Sequence, residues 1–152
     1  MIGFLGEYEA TVDAKGRFLL PAAIRKKLPA DAPNDFVINR GFEKCLTLYP
    51  AANWQPIMEG ISKLNDFDPK VREFRRYFFN GATELELDTA GRLLVPPNLR
   101  DHANIDKDIV LVGSMQKIEI WDKVKYKEFF ESMTPQAFSQ LAKDVIPNGL
   151  NV

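Results

Sequence analysis

Residues 6–25 read GEYEATVDAKGRFLLPAAIR, and residues 81–100 read GATELELDTAGRLLVPPNLR. The two stretches align without a gap, and eight of their twenty positions are identical. The identical pairs are Gly6/Gly81, Glu9/Glu84, Asp13/Asp88, Gly16/Gly91, Arg17/Arg92, Leu19/Leu94, Pro21/Pro96 and Arg25/Arg100. Because these identities fall on residue types with special backbone or charge properties, we interpret the chain as two copies of one unit.

Each copy begins with a predicted β-hairpin followed by a short helix. Polar and apolar residues alternate over 7–13, which is the period of a half-buried strand. Asp13 and Gly16 suit the first and fourth positions of a type I turn, where Asp can bond its own backbone and Gly tolerates a left-handed conformation. A second strand over 17–20 follows, and Pro21 ends it and can open a helix. The second copy repeats this order.

Beyond the first hairpin, each copy carries a second predicted hairpin and then helices. Apolar runs at 36–38 and 46–49 in the first copy correspond to runs at 109–112 and 118–121 in the second. Apolar spacing and flanking residues predict four longer helices, at 51–64, 69–79, 123–132 and 135–146. Residues 148–152 are expected to form a loose tail.

Length and composition fit a folded globular chain of 152 residues, with 45% hydrophobic and 27% charged residues. We divide it into a first repeat at 7–54, connecting helices at 55–80, a second repeat at 81–124, and C-terminal helices with a tail at 125–152. Cys45 has no second cysteine for a disulfide. Because His102 is the one histidine, a zinc site built from Cys and His is excluded, and we expect neither a metal site nor a cofactor.

The charge of the whole chain does not indicate a polyanion-binding protein. Lys and Arg number 20 and Asp and Glu 21, a net charge of −1, so any nucleic-acid interface must rest on a local basic face. Residues 1–5 lack the basic start and apolar length of a signal peptide, and no apolar run approaches the roughly 20 residues that span a bilayer. We expect a cytoplasmic protein with no membrane partner and no small-molecule substrate.

The repeated motif is Asp-x-x-Gly-Arg, with a proline four residues after the arginine. A tight hairpin followed by a helix start explains the Asp, the Gly and the Pro without any function. It does not explain Arg17 and Arg92, because a strand residue just after a turn can be almost any type. A structural alternative for them is an ion pair with Asp13 and Asp88.

The segments GEYEATVDAKGRFLLP and LELDTAGRLLVP resemble the two signature segments of the MraZ family, bacterial transcription factors of the division and cell-wall gene cluster. That family is a duplicated version of the AbrB/SpoVT/MazE DNA-binding unit. The resemblance covers nearly the whole chain. It implies an α+β fold, a pseudo-two-fold swapped-hairpin (double-split) β-barrel built from two internal repeats, with flanking helices.

The resemblance also implies a function and a site. The family forms ring-shaped homo-oligomers, here expected to be octamer-like, which associate with the nucleoid and bind G-containing direct repeats in promoter DNA, including that of their own operon. It is not a family of enzymes. Its DNA-contacting motif maps onto residues Asp13, Lys15, Gly16, Arg17, Asp88, Gly91 and Arg92.

The chemistry of these residues agrees with DNA recognition. An arginine offers a planar fork of donors that matches guanine O6 and N7 in the major groove. In this interpretation each Asp orients its Arg, and Lys15 at the loop tip contacts phosphate, which positions the protein without reading sequence. Further phosphate contacts are expected from Arg25, Lys26 and Lys27.

The two copies differ in charge. Residues 13–27 carry five cations against Asp13, a balance of +4, whereas residues 88–102 balance to zero. Ala90 stands where the first copy has Lys15. We therefore predict that the first copy carries most of the DNA affinity, so that Arg17→Ala costs more specific binding than Arg92→Ala.

The predicted helix at 69–79 is basic, and its four cations, Lys70, Arg72, Arg75 and Arg76, oppose only Glu73. They form either a solvated face beside a neighbouring subunit or an accessory phosphate contact. Its aromatic residues are expected in the core or in a subunit interface, and Trp54 and Trp121 in the core. His102 and Cys45 are expected to be structural.

Two other classes of function are weighed against DNA binding. One is an aspartic-protease-like enzyme, with one Asp per copy and a sequence at 88–91 near to Asp-Thr-Gly, in which two carboxyl groups would share a proton. A basic residue beside each Asp opposes that arrangement. The other is an oligomeric scaffold or antitoxin-like module that binds protein without reading DNA.

Overall fold

The computed structural model describes residues 3–31 and 34–148, over which eight strands and six helices follow one another. The strands are β1 Phe4–Thr11, β2 Arg17–Leu19, β3 Asp35–Arg40, β4 Leu46–Pro50, β5 Thr83–Glu86, β6 Arg92–Leu94, β7 Asp108–Met115 and β8 Lys117–Asp122. The helices are α1 Ala22–Arg25, α2 Ala51–Ser62, α3 Pro69–Phe79, α4 Pro97–His102, α5 Lys123–Glu131 and α6 Pro135–Val145. The predicted order of strands and short helix is confirmed in both copies. Residues 149–152 of the predicted tail lie outside the described residues.

Strands from the two copies interleave. Six of them form one antiparallel sheet in the order β1-β7-β8-β4-β3-β5, and β2 pairs with β6 in a separate two-stranded ribbon. The first strand of each copy pairs with the third strand of the other, β1 with β7 and β5 with β3. This exchange is the swapped-hairpin relation, and it confirms the predicted α+β fold with a pseudo-two-fold axis and flanking helices.

The core between the two copies is built from equivalent residues of the two repeats. Equivalent positions of the two repeats supply the pairs Phe18 and Leu93, Leu20 and Val95, and Ile24 and Leu99, each at most 3% exposed. The large sheet adds buried aliphatic residues from β3, β4, β7 and β8 to the same cluster. Burying such side chains is worth roughly 1.5–3 kcal/mol each, so this shared core holds the copies together.

A smaller cluster lies where α2 and α3 cover the outer face of β3 and β4. Trp54 of α2 stacks on Phe78 of α3 with ring centroids 5.7 Å apart, and Val37 and Tyr49 are buried in the same cluster. Trp54 is buried, as predicted, and so is Trp121. On α3, Phe78 packs in this cluster, but Tyr77 is 65% exposed. Phe78 thus lies in the core, as expected, whereas an interface role for Tyr77 stays a prediction.

The chain divides into two compact units at the boundary between Asp122 and Lys123. The second unit contains α5 and α6, whose helices have no buried residue. Thr134 caps α6 by accepting a hydrogen bond from the Ala137 amide at 3.0 Å. In the part of the chain that the structure describes, no helix has the length and apolar character needed to cross a bilayer.

Candidate nucleic-acid interface

The first repeated motif forms a tight turn built on one carboxylate. Asp13 Oδ1 accepts hydrogen bonds from the amides of Lys15 and Arg17, both at 2.9 Å. The Gly16 amide donates to the Asp13 carbonyl at 3.0 Å, which closes the turn. Gly16 has φ +86°, a conformation that other L-residues rarely adopt. The motif's Asp and Gly are therefore explained by the turn itself.

The second motif forms the same turn with the same contacts. Asp88 Oδ1 accepts from the amides of Ala90 at 2.9 Å and of Arg92 at 2.8 Å. The Gly91 amide donates to the Asp88 carbonyl at 3.0 Å, and Gly91 has φ +82°. We call these turns hairpin one (13–17) and hairpin two (88–92).

Each motif arginine is held by its own aspartate. Arg17 Nε donates to Asp13 Oδ2 at 3.1 Å, and Arg92 Nε donates to Asp88 Oδ2 at 3.0 Å. The ion pairs that the structural alternative predicted are thus present. They use one edge of each guanidinium, and no hydrogen bond or ion pair within residues 3–31 and 34–148 occupies Nη1 or Nη2 of either arginine. About a third of each arginine side chain stays open to solvent, 29% for Arg17 and 35% for Arg92.

The surroundings of the two aspartates keep them ionised. The backbone amide of Arg17 lowers the pKa of Asp13 below its ordinary value of 3.8, and the Arg17 guanidinium lowers it further. The amide and side chain of Arg92 lower the pKa of Asp88 in the same way. A carboxyl pair that shares a proton needs one raised pKa, so this geometry opposes the protease-like alternative.

The two hairpins are locked to each other across the pseudo-two-fold axis. The Leu20 amide donates to the Gly91 carbonyl at 2.9 Å, and the Val95 amide donates to the Gly16 carbonyl at 2.8 Å. Between these bonds β2 and β6 run antiparallel. Each turn glycine therefore rests on the strand end of the other copy, and both motifs belong to one ribbon.

One face of this ribbon carries both arginines. The register pairs Arg17 with Leu94 and Arg92 with Leu19, so these four alternate residues share a face. Phe18 and Leu93 on the opposite face are buried in the core, whereas Leu19 is 54% and Leu94 46% exposed. The exposed leucines were not predicted as site residues, although the alternation with Phe18 and Leu93 was a signal for them.

The basic residues of the first copy do not all lie at its own hairpin. A Cβ atom added to Gly91 would be 2.8 Å from Arg25 Nη1, so the Arg25 guanidinium lies against hairpin two. The sequence counts the charge of Arg25 with the first copy, but in space the side chain lies at hairpin two, because β2 ends beside Gly91 and leads directly into α1. The predicted ranking of Arg17 above Arg92 stays a prediction. In space, Arg25 adds its charge to hairpin two.

The other residues predicted to contact phosphate are exposed. In the second copy, the arginine equivalent to Arg25 is hydrogen-bonded within the chain. Lys15, Lys26 and Lys27 are exposed. Arg100, the equivalent of Arg25, instead donates through Nε to the Ile105 carbonyl at 3.3 Å and through Nη2 to the Asp106 carbonyl. It fastens the connection from α4 to β7.

Two of the four cations of α3 make hydrogen bonds or ion pairs within the chain. Arg75 pairs with the Asp66 carboxylate and donates to the Ile61 carbonyl at 2.7 Å. Arg72 donates to the Asp66 carbonyl at 2.8 Å. These two cations hold the α2–α3 connection, a role that sequence reasoning missed because the acceptors are mostly backbone oxygens.

Among the described residues, Glu43, Cys45 and Glu119 bring possible metal-ligating atoms within 4.8 Å of one another. Burial, followed by the two carboxylates, raises the pKa of Cys45 to about 12, so the thiol is protonated at neutral pH. Glu43 is exposed, and Glu119 accepts a hydrogen bond from Trp121 Nε1 at 3.1 Å. This group could accept a metal only by losing the thiol proton, and nothing else around it indicates an ion.

A cavity of about 490 Å³ opens beside the β3–β4 connection. Phe42, Phe74, Tyr77 and His102 are among the residues that line it, and no motif residue does. Burial, and then the nearby Arg40, lower the pKa of His102, which keeps the imidazole neutral. Its Nε2 is buried without a hydrogen-bond partner in the described residues.

Comparison with known proteins identifies the family to which this two-hairpin arrangement belongs. A family model described as "MraZ protein, putative antitoxin-like" matches the chain twice, over residues 3–77 and 78–147. A protein of Cytophaga hutchinsonii named "Transcriptional regulator MraZ" is 44% identical over 140 residues, 92% of each chain. Proteins with the same name from Christiangramia forsetii and Moorella thermoacetica are 42% and 38% identical, over 97% and 94% of this chain and 96% of each relative.

These matches run over both repeats and cover more than nine-tenths of each relative. They name a class of regulators, and none of them names an enzyme. The chain belongs to the MraZ family of transcriptional regulators.

Proposed function

We propose that the chain is a sequence-specific DNA-binding regulator that recognises direct repeats in promoter DNA through Arg17 and Arg92. The observation that carries this proposal is the way each arginine is held. Its Nε is fixed by the aspartate of its own turn at 3.0–3.1 Å, while Nη1 and Nη2 have no partner among the described residues. Two such side chains share the outward face of one ribbon.

The chemistry of guanine recognition supports the assignment. Two parallel donors on one guanidinium match O6 and N7 of guanine, and each such pair is worth about 1–3 kcal/mol of discrimination between bases. A two-stranded ribbon fits the width of the major groove. A structural ion pair alone is a weaker explanation, because exposed pairs contribute about 0–1 kcal/mol to stability. Lys15, Arg25, Lys26 and Lys27 would add contacts to phosphate.

The proposed assembly is a ring-shaped homo-oligomer, octamer-like, that presents several hairpins to tandem sites. The second unit supports oligomerisation because α6 exposes a stripe of apolar residues at helical spacing, Phe138, Leu141 and Val145. Exposed apolar stripes of this kind mark protein–protein contacts. Linking several weak sites raises overall affinity through effective concentration, which suits a chain of net charge −1.

The proposed setting follows from the same reasoning. A promoter-binding regulator acts in the cytoplasm at the nucleoid, and the proposed target is the division and cell-wall gene cluster, including the chain's own promoter. No metal, cofactor or small substrate enters this mechanism.

A second candidate function is an antitoxin-like or scaffold module that binds a protein. The description of the matching family model as antitoxin-like and the apolar surface of α5 and α6 favour it. It gives no reason for two arginines to be oriented identically on one face. Preference for a protein partner over DNA would distinguish it.

The proposal is tested by titrating the purified chain against DNA from upstream of its own gene and against a scrambled duplex, at two salt concentrations. We expect tighter binding to the native duplex, with affinity that falls as salt rises. Arg17→Ala should reduce the preference for the native duplex, whereas Lys63→Ala, a loss of one exposed cation at the end of α2, should not. Equal affinity of the wild-type chain for both duplexes would contradict sequence-specific recognition and favour the protein-binding alternative.

A further inference from the structure

The exchange of strands changes which basic residues accompany each hairpin. The Leu20 amide bonds the Gly91 carbonyl, and Pro21 and α1 follow immediately. The short helix α1 of the first repeat therefore starts at the turn of the second repeat. The reciprocal bond from Val95 to Gly16 brings the start of α4 to hairpin one.

Arg25 at the end of α1 is placed directly against hairpin two. An added Cβ at Gly91 would lie 2.8 Å from Arg25 Nη1 and 3.4 Å from its Cζ. A Cβ at this position would require the Arg25 guanidinium to move away from the turn. The side chain is exposed, and no hydrogen bond or ion pair engages its guanidinium within residues 3–31 and 34–148.

Hairpin one has no equivalent of this arginine. The space above Gly16 is bounded by the Val95 carbonyl at 3.4 Å and by Leu94 Cδ1 at 3.5 Å. Arg100, which is equivalent to Arg25 by sequence, is used by the Ile105 and Asp106 carbonyls. The one exposed cation of the hairpin-one turn beyond its motif arginine is Lys15, which becomes Ala90 in hairpin two.

We propose that hairpin two is a composite DNA site, in which Arg92 of the second repeat reads a base while Arg25 of the first repeat contacts the adjacent phosphate. Arg25 thereby supplies to hairpin two the phosphate contact that Lys15 supplies to hairpin one. This inference rests on the proposed function, since it names a partner group within the same interface. A guanidinium without a protein partner beside a base-reading hairpin suits a phosphate, which accepts two of its hydrogen bonds.

The composite site is tested by double-mutant cycles on DNA binding of the full chain. Dissociation constants for the native upstream duplex are measured for Arg25→Ala, Arg17→Ala, Arg92→Ala and the two doubles that contain Arg25→Ala. Because Arg25 and Arg92 act at one hairpin, their combined loss should be smaller than the product of the single losses. For Arg25→Ala combined with Arg17→Ala, the loss of affinity should equal the product of the two single losses, because the two residues act at different hairpins.

The chemistry of the contact is tested with the same variants. Arg25→Ala should weaken binding to both the native and the scrambled duplex and reduce the salt slope by about 1, as expected for a phosphate contact. Arg25→Lys should keep the slope, and Lys63→Ala should change neither quantity. In the free protein, Arg25→Ala should shift the Gly91 amide resonance and leave that of Gly16 in place.

Each contrary outcome has a definite meaning. The composite site would be overturned, with DNA recognition left intact, by either of two results. One is a coupled loss of affinity between Arg25 and Arg17. The other is a loss equal to the product of the single losses in both double variants. A wild-type chain that shows no salt-dependent DNA binding would overturn the proposed function and the composite site together.

Discussion

At the scale of single residues, Asp13 and Asp88 each perform two tasks with one carboxylate. Oδ1 accepts two backbone amides and so shapes the turn, and Oδ2 accepts the arginine Nε and so orients the side chain. Asp88 repeats this division of labour. The turn chemistry and the proposed recognition chemistry therefore depend on the same residue, which explains why Asp and Arg recur together.

Both aspartates should titrate below the ordinary value of 3.8 in a carboxyl NMR titration. Their stabilisation of the turns is present at neutral pH and is lost as the pH falls below 3.8 through the lowered pKa. Arg17→Ala should bring the pKa of Asp13 closer to 3.8 without restoring it, because the largest cause, the backbone amide of residue 17, remains. A pKa of either aspartate at or above 3.8 in the wild-type chain would contradict the hydrogen-bonding pattern.

At the scale of elements, the sequence predicts what is local and misses what depends on strand exchange. The turns at Asp13 and Asp88 and the helix over 69–79 follow from nearby residues, and the structure has them at these positions. The position of Arg25 at hairpin two was not predicted. That position depends on a backbone bond between residues 71 positions apart, Leu20 and Gly91, which no local pattern specifies.

The structural role of Arg72 and Arg75 in the α2–α3 connection could not be predicted from the sequence either. Charge spacing identified α3 as basic, but the acceptors include the carbonyls of Ile61 and Asp66, which every residue type possesses. Side-chain composition carries no signal for a backbone acceptor. The family resemblance supplied the strand exchange as an expectation, and residue patterns alone did not.

Gly16→Ala should destabilise the chain by about 1–2 kcal/mol, because φ +86° is unfavourable for a residue with a Cβ. Gly60→Ala provides a matched control with the same added methyl group. Gly60 lies in α2 with no atom within 4 Å of an added Cβ, so alanine there should stabilise by about 0.5–1 kcal/mol. Urea denaturation of both variants measures the difference. A neutral Gly16→Ala would show that the turn does not need its left-handed glycine.

At the scale of the whole molecule, two nearly identical motifs sit in unequal surroundings. Both turns have the same hydrogen bonds, but Lys15 flanks one and Arg25 the other. Duplication within one chain permits this difference, which two identical subunits could not have. The exposed apolar stripe on α6 is the surface that we propose for self-association in the ring.

Leu141→Glu should reduce the size of the assembly, because a charge in the apolar stripe of α6 opposes its burial against another chain. Gln136→Glu is the matched control, since it introduces the same residue in the same helix away from the stripe. Sedimentation velocity of both variants and the wild-type chain measures the size. An assembly of unchanged size in Leu141→Glu would remove the α6 stripe from the proposed interface.

The most direct test of the account replaces both motif arginines by lysine and measures the ratio of affinities for native and scrambled duplex. Arg17→Lys with Arg92→Lys keeps the net charge and removes the planar fork, so general DNA affinity should persist. The preference for the native duplex should fall by at least about tenfold, the equivalent of ~1.4 kcal/mol and within the range for a lost bidentate base contact. An unchanged ratio would contradict base reading by these two arginines.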